Sequence, residues 1–173
     1  KIYSKFKSQL NKYTKNKPFT VAVSGGPDSL ALTALSQIYR NQKKIKIYFV
    51  LIDHAIRKNS KKEANLVKKL LKRFGISLYV IRNKNKIKNN IQKKAREVRY
   101  KLLLNFCKRR KIRYILTAHH SDDQIETFLI RLSRGSGIQG LSSMDKDIKL
   151  SKEVKLIRPL LEFKKQELKY IAK

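Results

Sequence analysis

The sequence has one cysteine, few acidic residues and no long apolar segment, and each shortage excludes a class of protein. Cys107 is the only cysteine, so the chain forms no internal disulfide and has no CxxC or four-cysteine zinc motif. The longest strongly apolar run, Ile47 to Ile52, is far too short to span a membrane. The basic N-terminus, residues 1–7, has no apolar signal-peptide core behind it. These shortages predict a soluble intracellular protein without a membrane partner.

Acidic residues are scarce relative to basic ones. The 173 residues include 43 Lys and Arg against 12 Asp and Glu, which gives a formal net charge of +31. A packed fold does not require this imbalance, and the resulting self-repulsion favours a polyanionic partner such as nucleic acid. Lys, Asn and Ile are all abundant, so the coding bias of an AT-rich genome explains part of the excess. The charge therefore supports nucleic-acid binding only together with other evidence.

The chain alternates between strand and helix patterns throughout its length, which fits about one domain. Strands separated by helices predict an α/β fold with a doubly wound, mostly parallel sheet and right-handed crossovers. The predicted strands are Thr20–Val23, Ile45–Ile52, Ser77–Ile81, Arg113–Thr117 and Val154–Ile157. The predicted helices are Asp28–Tyr39, Lys61–Phe74, Ile91–Lys108 and Asp122–Leu132, with a further helix starting near Glu162.

A Gly-Gly turn follows the first predicted strand and precedes a helix. Glycines let backbone N–H groups converge on one point, and the positive end of the helix dipole lies at the same place. Such a turn is typical of a phosphate-binding loop, although it lacks the Lys-Ser/Thr pair of a Walker A motif. An empty strand–turn–helix corner with good capping residues is the alternative. The loop consists of Ser24, Gly25, Gly26, Pro27, Asp28 and Ser29.

Polar residues also follow two other predicted strands. Asp53 and His54 come after the second strand, and the segment 119–123 comes after the fourth. In an open parallel sheet, ligands bind outside the carboxyl ends of the strands. Since three strand ends carry such residues, we expect one shared site at this edge of the sheet.

The segment after the fourth strand is dense in titratable groups. It contains His119, His120, Asp122, Asp123 and Glu126 within eight residues. A transition-metal site is one interpretation, but adjacent histidines after a strand point in different directions. Handling of Mg²⁺ and substrate beside bound phosphates fits better. We assign the neighbouring Ser and Gln of the same segment, positions 121 and 124, mainly to a capping box.

Two strings carry a resemblance to known families. SGGPDS resembles the pyrophosphate loop of the N-type ATP pyrophosphatases of the PP-loop superfamily, and HHSDDQIET resembles the AHHxDDxxET signature of tRNA(Ile)-lysidine synthetases. Further resemblances to the second family, in order along the chain, are DHAIR at 53–57, NIQ…AR…RY at 90–100, RGSG…GL at 134–141 and IRPLL at 157–161. Ala55 stands where that family has Gly, and Gln92 stands where Glu is common.

The resemblance implies an adenine nucleotide alpha hydrolase-like, Rossmann-like fold and an ATP-dependent ligase. Its reaction joins L-lysine to the wobble cytidine of isoleucine tRNA with a CAU anticodon, through an adenylylated cytidine, and releases AMP and pyrophosphate. Residues 1–173 would form a single N-terminal catalytic domain, with the C-terminal tRNA-binding part absent. The implied location is the cytoplasm or an organelle of bacterial origin, and a homodimer is compatible with it.

The resemblance also implies roles for individual residues. The nucleotide and pyrophosphate would lie on Ser24, Gly25, Gly26, Pro27, Asp28, Ser29, Asp53 and His54, with Mg²⁺ held through Asp28. The catalytic candidates are Asp28, His119, His120 and Asp123, with the choice between the two histidines open. Lysine would be bound by Asp123 and Glu126 at its ammonium and by Arg96 or Arg99 at its carboxylate. The tRNA phosphates would meet Arg131 and Arg134, for which a solvated surface role also stays open.

Two rival functions use the same fold. A tRNA thiolase generally needs several cysteines for sulfur transfer or an iron–sulfur cluster, and the lone Cys107 argues against it. A non-catalytic RNA-binding module would have no use for the acidic residues of HHSDDQIET. Both alternatives are therefore weaker than the ligase.

Overall fold

The chain forms six helices and six strands within residues 1–133 and 144–172, which are the residues that the computed structural model describes. The helices are α1 (Ile2–Thr14), α2 (Pro27–Lys43), α3 (Ser60–Arg73), α4 (Ile91–Arg109), α5 (Ser121–Ser133) and α6 (Lys165–Ala172). The strands are β1 (Phe19–Val23), β2 (Ile47–Asp53), β3 (Leu78–Arg82), β4 (Tyr114–Leu116), β5 (Asp147–Lys149) and β6 (Lys155–Ile157).

These strands form one sheet in the order β3-β2-β1-β4-β6-β5. β1 pairs in parallel with β2 on one side and with β4 on the other, so that Val21 lies opposite both Phe49 and Leu116. Only the edge strand β5 runs antiparallel among the described strands. The mostly parallel α/β sheet with flanking helices confirms the predicted fold class.

Each face of the sheet has its own hydrophobic core. One core includes Phe6 of α1, Leu32 of α2, Leu71 of α3 and Leu168 of α6, packed with inward side chains of β1 and β2. The other core lies under α4, which contributes Leu103, Phe106 and Cys107. Helices therefore cover both faces of the sheet, as expected for a doubly wound domain.

The predicted elements all occur, with ends displaced by up to four residues, as at the end of α2 (Tyr39 predicted, Lys43 observed). The helix predicted near Glu162 begins at Lys165, where the N–H of Lys164 is capped by Glu167 Oε2 at 2.8 Å. Two described elements were not predicted, namely α1 and the short strand β5. Ile2, Phe6 and Leu10 recur at helical spacing along α1, so that signal was present.

Gly25 lies in the β1–α2 turn and has a left-handed backbone, with φ of +85°. A Cβ atom there would lie 2.8 Å from Val67 Cγ2 of α3. At Gly26 the nearest atom to such a Cβ is Ser24 Oγ, at 3.8 Å, and φ is −74°. Glycine is therefore required at the first of these positions and not at the second.

We expect Gly25→Ala to lower the free energy of unfolding by about 1–3 kcal/mol, because it combines a left-handed φ with a clash. Gly26→Ala is the matched control and should cost less than about 1 kcal/mol. Urea unfolding followed by circular dichroism measures both. Equal stabilities of the two variants would contradict this account of the turn.

Candidate functional site

A cavity of about 920 Å³ opens at the carboxyl ends of β1, β2 and β4. Its polar lining includes residues from all three predicted strand ends, together with Arg57, Ser60 and Glu63, and the first half of α4 closes one side. The lining includes Ser24, Asp28, Ser29, Asp53, His54, Thr117, His119 and Asp123, together with Gln92, Arg96 and Arg99 of α4. Parallel pairing thus brings together residues that are far apart in the chain.

The hydroxyl of Ser29 organises the phosphate-type loop from inside. Ser29 Oγ accepts hydrogen bonds from the N–H groups of Ser24 and Gly25, both at 3.1 Å, and donates one to the carbonyl of Gly26 at 2.9 Å. Ser29 is only 4% exposed. Two of the loop amides are therefore already bonded. The N–H groups of Asp28 and Ser29 belong to the first turn of α2, where the helix supplies no acceptor, so these amides suit a bound anion.

A buried histidine joins this loop to the start of α5. His120 is 3% exposed, and its Nε2 lies 3.5 Å from Asp28 Oδ2. Its backbone N–H donates to Asp123 Oδ2 at 2.8 Å, and its Nδ1 lies 3.6 Å from the same oxygen. His120 does not line the cavity; its ring lies behind the two carboxylates.

The other oxygen of Asp28 is the best candidate for a cation ligand. Asp28 Oδ1 is buried and has no hydrogen-bond partner, although the side chain as a whole is 28% exposed. A carboxylate oxygen without a donor fits a hard cation such as Mg²⁺. No group of three or more His, Cys, Asp or Glu within residues 1–133 and 144–172 is arranged to hold a metal by itself. A cation here would therefore share its coordination with the substrate.

His119 faces the cavity as a neutral imidazole. Burial lowers its pKa to about 4, and the positive charge of Arg158 acts in the same direction, while Asp123 opposes the shift. Its Nδ1 lies 3.0 Å from Thr117 Oγ1, which is 8% exposed. The hydroxyl of Thr117 fixes the ring orientation and leaves Nε2 for a ligand.

The end of β2 forms a tight turn held by Asp53. Asp53 Oδ1 accepts a hydrogen bond from the N–H of Ala55 at 2.9 Å, and its Oδ2 lies 3.7 Å from Arg82 Nε. Ala55 has φ of +55°, the left-handed conformation that glycine adopts most easily. The position where the resembling family has Gly is therefore a strained position here, stabilised by the Asp53 side chain.

His54 lies beside Asp53 with both ring nitrogens buried and unpartnered. Burial lowers its pKa, with Arg99 acting in the same direction and Asp53 against it. A neutral ring with two unpaired nitrogens can accept and donate a hydrogen bond at once. Such a group suits a nucleotide base or ribose.

Capping at α5 differs from the predicted capping box. The N–H of His120, just before the helix, donates to the side chain of Asp123, and Gln124 does not accept it. Ser121 Oγ instead donates to the carbonyl of Phe163 at 2.9 Å, and Gln124 Nε2 donates to that of Leu161 at 3.2 Å. These two side chains attach α5 to the turn before α6. Their effect is to anchor the helix, since α5 has no buried residue of its own.

Not every predicted site residue reaches the cavity. Gly25 and Pro27 belong to the loop but do not line the cavity, and Glu126 is exposed on α5 outside the lining. Arg131 is half-buried in the last turn of α5. Arg134 lies outside the described residues, as does the whole RGSG…GL string.

Sequence reasoning missed two residues that shape the site. Thr117 orients His119, and Arg158 is a buried cation, 5% exposed, whose Nη1 donates to the carbonyl of Asp145 at 2.6 Å. Arg158 lies in the IRPLL string, which was noticed but given no role. Its charge acts on His119 from a distant part of the chain, so no local pattern shows it.

The fold and the loop define the chain as an α/β nucleotide-binding domain. It matches the PP-loop domain family over residues 1–173 and belongs to that family, whose name denotes ATP binding. In the described residues no helix has the length and apolar character needed to cross a membrane.

Several curated relatives align with most of this chain. The chain is 45% identical over 161 residues to the tRNA(Ile)-lysidine synthase of Wolbachia pipientis wMel, covering 91% of this chain and 37% of that protein. It is 37% identical over 175 residues to the enzyme of the same name from Rickettsia africae (strain ESF-5), covering 96% of this chain and 35% of that protein. The chain thus spans about a third of the length of these relatives.

Solved structures with low sequence identity share the fold. A U34-tRNA thiolase from Methanococcus maripaludis aligns with a TM-score of 0.78 and 20% identity, covering 98% of this chain and 61% of that one. An NH3-dependent NAD synthetase from Campylobacter jejuni aligns with a TM-score of 0.60 and 15% identity, covering 99% of this chain and 70% of that one. Both comparisons support the α/β fold alone.

The depressed pKa of His119 predicts a specific dependence of stability on pH. Its folded-state value of about 4 lies below the ordinary 6.5, so the unfolded chain binds an extra proton between these values. His119 therefore contributes a loss of stability as pH falls from 6.5 towards 4. We expect His119→Gln to make the loss over this range smaller, as measured by urea unfolding at several pH values. An unchanged pH slope, or an NMR titration midpoint near 6.5, would contradict the buried neutral state.

Proposed function

We propose that this chain is the catalytic domain of an ATP-dependent ligase that joins L-lysine to the wobble cytidine of isoleucine tRNA. The observation that carries the proposal is the convergence of the phosphate-type loop, Asp123 and the two arginines of α4 on one cavity. The names of the relatives support the same substrate class. The tRNA would be the isoleucine tRNA with a CAU anticodon, as the resemblance implies.

The proposed reaction has two steps. The C2 carbonyl oxygen of cytidine attacks the α-phosphorus of ATP, and pyrophosphate leaves with the electrons of the broken P–O bond. The lysine ε-amine then attacks C2, loses its proton, and displaces AMP, which carries away the former carbonyl oxygen. The first step makes a good leaving group of an oxygen that would otherwise stay attached.

Groups at the strand ends suit the first step. The first-turn amides of α2 would hold pyrophosphate, and Asp28 Oδ1 would hold Mg²⁺, which neutralises phosphate charge when bound. Because His119 is neutral, its Nε2 can donate a hydrogen bond to the α-phosphate or relay a proton, depending on its tautomer. His120 would act indirectly, by positioning Asp28 and Asp123.

Lysine recognition is proposed for the side of the cavity between α4 and α5. Arg96 and Arg99 line it and can form charge-assisted hydrogen bonds to the amino-acid carboxylate. Asp123 lines it as well and can face the ammonium. Glu126 lies one helical turn further along α5, so it would contribute less unless the substrate extends beyond the cavity.

Sulfur transfer is a weaker alternative, despite the fold shared with a thiolase. Cys107 is fully buried in the core under α4, and its Sγ lies 3.4 Å from Thr20 Oγ1. Burial raises the pKa of its thiol, which makes the thiolate scarce. A purely RNA-binding role is also weaker, because it leaves the unpartnered Asp28 oxygen without a purpose.

The proposal extends to location and assembly. A tRNA-modifying ligase of this kind would act in the cytoplasm, or in an organelle of bacterial origin. A homodimer would be compatible with this function.

Asp28→Asn should abolish adenylylation while leaving the fold intact. We expect release of AMP from labelled ATP, with lysine and tRNA present, to fall by about 100-fold or more, because the cation and phosphate charge lose a carboxylate. Asp122→Asn is the matched control, since Asp122 is an exposed carboxylate 3.9 Å from His120 that does not line the cavity. Near-normal AMP release by a folded Asp28→Asn variant would remove Asp28 from the mechanism.

Asp123→Asn should weaken lysine binding selectively. Asn still caps a helix, so the N–H of His120 keeps an acceptor while the negative charge is lost. We expect KM for lysine to rise about tenfold or more and KM for ATP to change less than about threefold, with a smaller rise for Glu126→Gln. Steady-state kinetics with each substrate varied in turn measures this. A raised KM for ATP with unchanged KM for lysine would instead make Asp123 a cation ligand.

A further inference from the structure

A second cavity lies at the opposite edge of the sheet from the proposed nucleotide site. It has a volume of about 610 Å³ and lies at the amino ends of β4 and β6, beside the last turn of α4. Basic residues dominate its polar lining, with Glu153 as the one acidic side chain. We name it the basic cavity, after Lys108, Lys111, Arg113, Lys149, Lys152 and Lys155.

Most of these cations lack an acidic partner. Among the ion pairs of the described residues, only Lys155 of this set is engaged, with Asp147 Oδ2 at 3.3 Å. Lys108, Lys149 and Lys152 are exposed around the same concavity and carry no such pair. Like charges gathered in one concavity repel each other, and a bound polyanion relieves that repulsion.

Helix α4 connects the basic cavity to the proposed nucleotide site. Its first half lines that site through Gln92, Arg96 and Arg99, and its end lines the basic cavity through Lys108. Its 19 residues correspond to a length of about 28 Å. Seven residues of α4 are Lys or Arg against one Glu, and all seven are exposed. Five of these cations lie in the first eleven residues of the helix and two at its end, so α4 carries positive charge near both cavities, with none at residues 102–107 between them.

Aromatic rings beside the end of α4 favour RNA over other polyanions. The Arg110 guanidinium lies 4.0 Å from the ring centre of Phe106, 5.0 Å from that of Tyr79 and 5.5 Å from that of Tyr48. Tyr79 is 41% exposed and Arg110 is exposed, whereas Phe106 is buried and Tyr48 half-buried. Tyr79 and Arg110 lie outside the lining of the basic cavity, and they are the two planes of this cluster that a base could reach. Exposed aromatic and guanidinium planes next to lysines are what unpaired bases and backbone phosphates bind together.

We propose that α4 and the basic cavity form a second RNA-binding surface, on which the backbone of the bound tRNA runs from the proposed active site to the opposite edge of the sheet. This inference rests on the proposed function for the identity of the RNA. The surface would raise the affinity for tRNA and orient it, and would take no part in the chemical steps.

The test compares two triple variants with the same change in charge. One combines Lys108→Gln, Lys149→Gln and Lys152→Gln in the basic cavity. The control combines Lys68→Gln, Lys69→Gln and Lys72→Gln on α3, whose side chains are exposed on the other face of the sheet and line neither cavity. Binding of an isoleucine tRNA transcript is measured across a range of salt concentrations.

We expect the basic-cavity variant to lose about tenfold or more in affinity at moderate salt, with its log–log salt slope reduced in magnitude by about two to three. The α3 control should lose less than about twofold. At saturating tRNA the rate of AMP release should be unchanged, because no substituted residue lines the nucleotide site. Equal losses of tRNA affinity in both variants, or no loss in either, would contradict the proposed RNA-binding surface. If the basic-cavity variant lost binding to anionic lipid vesicles but kept its affinity for tRNA, that result would contradict it as well.

Failure of the proposed function would look different. Wild-type protein that binds tRNA with the expected contrast between variants but releases no AMP in the presence of lysine would contradict the ligase and leave the RNA surface standing.

Discussion

The parallel pairing of β1 with both β2 and β4 is the constraint on which the site depends. β1 lies in the middle of the sheet, and Phe19, Val21 and Val23 are almost fully buried. Because all three strands run in the same direction, their carboxyl ends meet at one edge. A slip by one residue would move these side chains from one core to the other, so the packing of the two cores fixes the register and, with it, the relative positions of the loop, Asp53 and His119.

Each of three residues at that edge uses one atom to hold the local structure and leaves another atom available to a ligand. Ser29 closes the loop with its hydroxyl while its backbone N–H belongs to the open first turn of α2. Asp28 places one oxygen against His120 and leaves the other unpartnered. Asp123 caps α5 with one oxygen and faces the cavity. Because each group is held before any ligand arrives, the proposed chemistry would need little reorganisation.

Sequence patterns predicted the sheet, its helices and the three strand ends, because periodicity and turn residues are local signals. The same kind of signal is present in α1, where Ile2, Phe6 and Leu10 recur at helical spacing, although no helix was predicted there. Local signals do not show which of His119 and His120 faces the ligand, because adjacent residues after a strand differ in the direction of their side chains. The structure places His119 in the cavity and His120 behind it.

Other features depend on long-range contacts that no short motif encodes. Gln124 was predicted to cap α5 but anchors it instead. Local patterns do not show this, because its acceptor, the carbonyl of Leu161, lies 37 residues away in the chain. The neutral state of His119 depends partly on Arg158, from the turn after β6. Ala55 stands where the resembling family has Gly, and the structure explains why: its φ is +55°, and its N–H is bonded by the Asp53 side chain.

The central claim is that the three strand ends form one nucleotide site, and NMR of the labelled protein with a non-hydrolysable ATP analogue and Mg²⁺ tests it most directly. The account predicts simultaneous shifts at the amides of Asp28, Ser29 and Ala55 and at the ring of His119, with one shared dissociation constant. Shifts confined to residues of the basic cavity, or to only one of the three strand ends, would contradict it.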